Sequence, residues 1–181
     1  VRSPENQDYI YTSRDLATLA GKRFHAKRNH ISKFYRTYTD TRFETLSDSN
    51  IPDALTVAKL WCAENDTDPE ASSEITAIRE MCDLKDEYNV KGAVLYVDSK
   101  PVAMTLGSEI SPEVYDINFE KALREYDGVY AVINNEFAKT LTQYEYINRE
   151  EDMGLEGLKK SKLSYNPVII LDRWNAKPKK R

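Results

Sequence analysis

Val90-Lys-Gly-Ala-Val-Leu-Tyr-Val97, then Asp98-Ser-Lys100, then Pro101-Val-Ala-Met-Thr-Leu-Gly-Ser108 is the stretch on which the architecture turns. The first run is almost continuously apolar and short, as expected of a central strand covered on both faces. The Asp-Ser-Lys triplet is a tight-turn signal, so the second run reads as its antiparallel partner. Val114–Glu120 alternates Val, Asp, Asn and Glu against Tyr, Ile and Phe, which adds a third strand to the meander.

Working toward the N-terminus, Glu74–Tyr88 is helical in pattern, with Ile75, Ile78, Met81 and Cys82 inward. Asn65–Ser73, rich in Asp, Ser, Thr and Pro, is a loop. Ile51–Glu64 places Ile51, Leu55, Ala58 and Cys62 on one helical face, with Asp48/Ser49 as its expected cap. Arg42–Leu46 alternates like a strand. Further back, Lys22–Tyr38 aligns Phe24, Ile31, Phe34, Tyr35 and Tyr38 in one apolar stripe, against Lys22, His25, Asn29, Lys33 and Arg36. Lys27 and Arg28 border the stripe, where stems pack and charges reach outward. Residues 9–11 read as a short strand. Toward the C-terminus follow a helix over Gly128–Leu141, a strand at Tyr144–Asn148, a helix at Leu155–Leu163 and a strand at Pro167–Asp172, then the frayed basic tail Lys177–Arg181. From residue 42 the order is β-α-α-β-β-β-α-β-α-β.

The 181 residues fit one domain with a short arm, and the 40% hydrophobic, 31% charged composition is ordinary globular usage. The longest apolar runs, Ala93–Val97 and Val168–Leu171, are far short of a membrane span. No secretory signal pattern opens the chain, so a cytoplasmic location is expected. The chain begins Val1-Arg2-Ser3-Pro4 without Met, which is the expectation for a processed or truncated form. Cys62 and Cys82 fall on apolar stripes and read as small core residues. With two histidines in the chain, no metal site is expected. A net charge of −4 argues against wholesale nucleic-acid coating and leaves room for a local basic patch.

That element order is the order of the GNAT (acyl-CoA N-acyltransferase-like) fold, an α+β architecture with a mixed central sheet flanked by helices. Three segments carry a narrower likeness. Gly21-Lys-Arg-Phe-His-Ala-Lys-Arg-Asn-His-Ile-Ser-Lys-Phe34 resembles the family of the phosphatidylglycerol lysyltransferase C-terminal domain. So do Ile117–Ala122 with Tyr130–Phe137, and Tyr146–Pro167. The resemblance implies two GNAT-like domains in tandem joined by a basic helix. Residues 1–40 are then an arm and joining helix, 41–181 the second domain, and a first domain lies outside this chain. In the lipid-modifying relatives the donor is an aminoacyl-tRNA and the acceptor a phospholipid.

GNAT enzymes that use acyl-CoA cradle its pyrophosphate in a Q/R-x-x-G-x-G/A loop ahead of the helix after the meander. Here that junction reads Lys121-Ala-Leu-Arg-Glu-Tyr-Asp-Gly128, with one glycine, and Glu125 and Asp127 repel phosphate. No cofactor is therefore expected, and acyl-CoA transfer through an atypical loop stays open as a rival. The basic helix offers Lys27, Arg28, Asn29 and His30 as substrate-binding residues, its cations meeting tRNA phosphates in salt-sensitive contacts. The competing reading is a solvated face or an interdomain strut.

Acyl transfer needs a base for the incoming amine or hydroxyl and a donor for the oxyanion. Glu136 and the acids Glu150, Glu151 and Asp152 can supply the base, and Glu136, Glu151 and Asp152 are the catalytic candidates. Asn134 and Asn148 are candidate polar anchors, the latter at the junction where two central GNAT strands splay apart. Against this, Glu151 or Asp152 can simply cap the helix at Leu155, and Asn134 can sit on a solvated face. Lys159, Lys162 and Tyr165 close the set. A similar Lys-rich stretch is associated with the active cleft of the lipid-modifying relatives, so the resemblance implies binding of an anionic donor. The alternative is complementing a helix C-terminus. The leading expectation is transfer of an aminoacyl group from tRNA to an amine or hydroxyl acceptor, a small molecule or a lipid headgroup. Its rival from another class is a non-catalytic binding module.

Overall fold

In the computed structural model, which describes residues 6–70 and 72–174, the apolar run is β3, Lys91–Val97, in the body of a seven-stranded sheet. Gly92 through Val97 are all buried, because both faces of the sheet are covered by helices. Asp98 and Ser99 both take left-handed φ values, 48° and 62°. That is the mirror-image two-residue turn whose twist suits a hairpin, and it leads into β4, Lys100–Ser111. β5, Val114–Ala122, completes the meander, and β2, Thr41–Thr45, pairs antiparallel on the other side of β3.

The remaining strands are β6, Tyr146–Asn148, β1, Asp8–Thr12, and β7, Ile169–Leu171. The sheet order is β2-β3-β4-β5-β6-β1-β7, with one parallel pairing, β5 to β6. The sheet is mixed, as the element order implies. Residues 8–12 thus lie inside the same sheet as the rest of the chain, between β6 and β7. The sheet has no break at the expected boundary between 40 and 41.

One face is covered by α1, Ser13–Thr18, α2, His25–Thr37 (entered through a 3-10 turn at Lys22–Phe24), and α5, Val129–Lys139. Phe24 and Phe34 bury against Val129, Ile133 and Phe137 there. The other face is covered by α3, Ile51–Glu64, and α4, Ser73–Asp83, packed on Val94, Tyr96, Met104 and Leu106. Cys62 and Cys82 are buried free thiols in that second core.

Several local expectations are corrected. α3 starts at Asn50 without a side-chain cap; Asn50 instead ties Ser47 N and Thr45 O, and Asp48 pairs with Lys85 at 3.0 Å. α4 stops at Asp83 rather than Tyr88, since Leu84 and Tyr88 stay exposed and offer no apolar stripe to hold another turn. Tyr35, expected in the buried stripe of α2, is exposed at 40%. The basic tail Lys177–Arg181 lies outside the described residues.

Candidate active site

β5 and β6 pair in parallel over three positions only, Val114↔Tyr146, Tyr115↔Ile147 and Asp116↔Asn148. Past Asn148 the chain stays with β1: Arg149 N donates to Tyr9 O at 3.0 Å, and Tyr9 N to Glu150 O at 3.2 Å. β5 instead follows β4 to Ala122. The two strands therefore part, and a V opens between them. Its arms are bridged by a nearly buried ion pair, Arg149 Nη2 to Glu120 Oε1 at 2.8 Å.

A β-bulge aims Glu120 into this V. The β4–β5 register passes from Leu106↔Phe119 to Gly107↔Ile117, so Asn118 has no partner across the ladder. Tyr115 and Ile117 consequently face the α5 core while Phe119 faces the α3–α4 core. The simple alternation of Tyr, Ile and Phe expected from sequence is thereby overturned. One extra residue shifts every later side chain to the other face, which carries Glu120 to the α5 side. Gly107 makes the bulge feasible: a Cβ there would lie 2.1 Å from the Asp116 carbonyl oxygen.

The V is lined mainly by cations and aromatic rings. Asn134, fully buried on α5, donates to Glu120 Oε2 at 3.1 Å. Tyr165 lies edge-on to Tyr11, with the Arg149 guanidinium 4.8 Å from its centroid and the Lys27 ammonium 3.9 Å from it. Lys162, also buried, donates to the carbonyls of Arg149 and Glu150. Burial, with Arg149 as a second cause, lowers both Lys27 and Lys162 to about 8; burial pushes Tyr165 up to about 12. Three cations thus surround one carboxylate. Two buried atoms beside it, Arg149 Nη1 and Asn134 Oδ1, have no hydrogen-bond partner among the described residues, an unmet donor and acceptor of the kind that ligands or water satisfy.

On the other side of residues 150–153 lies an open cleft of about 670 Å³ against α4. Glu150 and Glu151 line it, with Asn118 linking Glu150 (3.3 Å) to Asp116 (3.0 Å). Burial, then the charges of Glu150 and Asp8, raise Asp116 to about 7.

The structure divides the sequence-derived candidates. Lys27, Asn134, Lys162 and Tyr165 converge on the V. Lys27 thus turns inward rather than reaching out, and Asn134 is no solvated side chain. Arg28 donates to the carbonyls of Leu19 and Gly21, and Asn29 bonds His25 at 3.1 Å on the exposed side of α2. His30 and Lys159 are exposed. Glu136 sits where α2 meets α5, paired with Lys139 at 2.7 Å and accepting from Tyr35. Asp152 is buried, accepting from Tyr9 Oη at 2.6 Å and Gly154 N at 2.9 Å, and so shapes the turn before α6, Glu156–Leu163. Asn148 is buried and bonds Asp8 and Glu150 N, while Glu151 lies 4.0 Å from Arg173. Sequence reasoning missed Arg149, Glu120 and Tyr11. The available signal was a polar face, Asp116, Asn118 and Glu120, on a central strand. Among the described residues no group of three His, Cys, Asp or Glu side chains can hold a metal ion, and no helix is long and apolar enough to cross a membrane.

A mixed sheet flanked by helices, with central strands that part around polar side chains, is a GNAT-like fold. A tandem GNAT protein from the clavulanic acid biosynthesis pathway matches at a TM-score of 0.56 and 10% identity, over 96% of this chain and 53% of that one. The chain belongs to the family described as phosphatidylglycerol lysyltransferase, C-terminal, whose model matches residues 3–177. It is similar to a conserved protein of unknown function from Bacteroides thetaiotaomicron, at 42% identity and a TM-score of 0.88, over 95% of this chain and 59% of that one. The L-PGS of Bacillus licheniformis matches at 14% identity and a TM-score of 0.65, over 95% and 60%. The chain thus spans about three fifths of the length of these last two relatives. The chain is thus a GNAT-like domain of the phosphatidylglycerol lysyltransferase C-terminal family.

Proposed function

We propose that the protein moves an aminoacyl group from a tRNA to an amine or hydroxyl acceptor, with the reacting ester held in the V between β5 and β6. The observation that carries this reading is the surplus of positive charge there, buried at Lys162, nearly so at Arg149 and partly exposed at Lys27. Arg149, Lys27 and Lys162 meet one carboxylate inside the V, Glu120, while Glu150 and Glu151 act on Lys162 from the cleft side, and Arg149 Nη1 has no partner among the described residues. Such a surplus suits a donor that brings negative charge and an ester carbonyl. The acceptor's nitrogen or oxygen bonds to that carbonyl carbon, and the bond to the ribose oxygen breaks. Arg149 Nη1 donates to the developing oxyanion. Lys27, whose titration near 8 lets it shed its own proton, takes the acceptor's proton as the neutral amine and passes it to the departing ribose oxygen, which leaves as a hydroxyl.

The place where acyl-CoA enzymes of this fold hold pyrophosphate is covered here. Gly128, ahead of α5, has its Cα so close to α2 that a Cβ would lie 2.9 Å from the His30 carbonyl oxygen, and Asp127 pairs with Lys33 at 2.6 Å. This favours a donor other than acyl-CoA. A tRNA donor puts the reaction in the cytoplasm. The additional length of the relatives is read as a first GNAT-like unit that α2 joins to this one.

The test is to incubate the full protein with charged tRNAs and follow deacylation that depends on an added acceptor. Acceptor-dependent deacylation lost in Arg149→Met is the expected outcome. Absence of tRNA binding at low salt overturns the proposal.

A further inference from the structure

We propose that the cleft between α4 and the 150–153 turn binds an organic ammonium ion with an apolar body, and that this amine is the acceptor; the second half rests on the transferase reading above. At about 670 Å³ the cleft is of small-molecule size. Its lining holds five glutamates and no Lys or Arg. Glu74 is neutralised by Lys121 at 2.9 Å, and Glu151 faces Arg173 at 4.0 Å. Among the described residues Glu109 accepts from the neutral groups of Tyr144 and Asn89, and Glu150 from Asn118, with Lys162 acting on Glu150 from behind. Glu109 and Glu80, the latter exposed near the end of α4, have no ion-pair partner among the described residues, which concentrates negative charge on one concave surface.

Between these acids the wall is apolar, and it is exposed. Leu84, Tyr88 and Met153 are 44%, 58% and 63% accessible. A carboxylate rim around exposed apolar and aromatic side chains matches a cation that carries hydrocarbon, and the Tyr88 ring adds an attractive face for an ammonium group. A second observation lies behind the rim. Asp116 Oδ1 is a buried atom without a hydrogen-bond partner among the described residues, and the same Asn118 amide joins Asp116 to Glu150. Burial, followed by the charges of Glu150 and Asp8, raises Asp116. Arg173, 2.9 Å from Asp8 and 4.0 Å from Glu151, and Lys162, beside Glu150, face this group from behind, so the four acids Asp8, Asp116, Glu150 and Glu151 share two cations. An ammonium fits better than a metal, because among the described residues no three acids are placed to hold one.

The position also suits an acceptor. Arg149 points into the V and Glu150, the next residue, lines the cleft. An ammonium held by Glu150 is thus one residue along the chain from the guanidinium that would hold the ester, and it releases one proton to solvent before its nitrogen bonds to the carbonyl carbon.

The experiment titrates the full protein, without tRNA, with 2-phenylethylammonium, and compares 2-phenylethanol and 3-phenylpropionate. The expected result is saturable amine binding at least ten-fold tighter than either control. Glu109→Gln/Glu150→Gln should weaken it about ten-fold, and Glu80→Gln, on an exposed position that leaves folding undisturbed, about three-fold. Equal binding of amine and alcohol overturns the proposal, as does amine binding that neither variant changes. A parallel tRNA-binding measurement separates the two readings. Amine binding without tRNA binding leaves the cleft standing and removes the transferase reading, whereas tRNA binding without amine binding removes the cleft.

Discussion

The V and the cleft share a wall, residues 149–153, yet one is cationic and the other acidic. The V gathers Arg149, Lys27 and Lys162 around Glu120. The cleft gathers glutamates around exposed Leu84, Tyr88 and Met153. The difference comes from backbone geometry more than from local composition. Arg149 still pairs with β1, while Glu150 turns to the left-handed region at φ 55° and Met153 does so again at 52°. Consecutive side chains are thereby sent to opposite sides. On the facing strand the bulge at Asn118 does the same, sending Glu120 to the V and leaving Asn118 on the cleft. Opposite fields a few ångströms apart suit a reaction that brings an anionic donor to a cationic acceptor.

The largest way to break this contrast is Arg149→Met. It leaves Glu120 buried without its charge partner, and removing one member of a buried pair costs about 3–5 kcal/mol. Denaturant unfolding should show that loss, and Arg149→Met/Glu120→Gln should recover most of it while the transfer activity stays absent. Next is Gly107→Ala. A Cβ placed 2.1 Å from a backbone oxygen forces β4 and β5 apart. Overpacking of this kind costs about 1–3 kcal/mol, measured as a fall in the unfolding midpoint, and both regions should lose ligand together.

The smallest effect sharpens the contrast. Lys27 is lowered to about 8 against about 10.4 unfolded. Below pH 8 both states hold the proton and the folded state bears the full cost of the buried charge. Between pH 8 and 10.4 the unfolded chain binds more protons, so stability rises with pH there. Lys27→Met should therefore flatten that rise and stabilise the fold at pH 7 by about 1 kcal/mol, a figure discounted for the lysine's partial exposure. It should also weaken tRNA binding. A pH-stability profile that keeps its slope in the variant would remove Lys27 from the site.

How far the sequence carries differs between these same regions. Val90–Val97 and its hairpin were legible because a short apolar run and an Asp-Ser turn are local signals. The element order followed from local periodicity in the same way. Lys162 and Tyr165 were reached through family likeness, not periodicity. Glu120 was hidden by the bulge, since alternation alone puts it opposite Tyr115 and Ile117, whereas it shares their face. Arg149 was masked by its acidic neighbours, which looked like the chemistry of the segment. Asp152 looked catalytic, yet its carboxylate is held by Tyr9, 143 positions away in the chain. Such partners leave no trace in local pattern.

That last pairing also bears on how the molecule is made. β1 leaves the ribosome before the other six strands of its sheet, but its neighbours there are β6 and β7. Asp8 waits for Arg173, 165 positions later. The β2–β5 meander with α3 and α4 can close on itself during synthesis. Residues 8–12, and with them the floor of the V, dock only when residues 146–171 have emerged. Long-range pairing of this kind is slow. The β6–β1 flank of the V is therefore completed only after β7 has emerged.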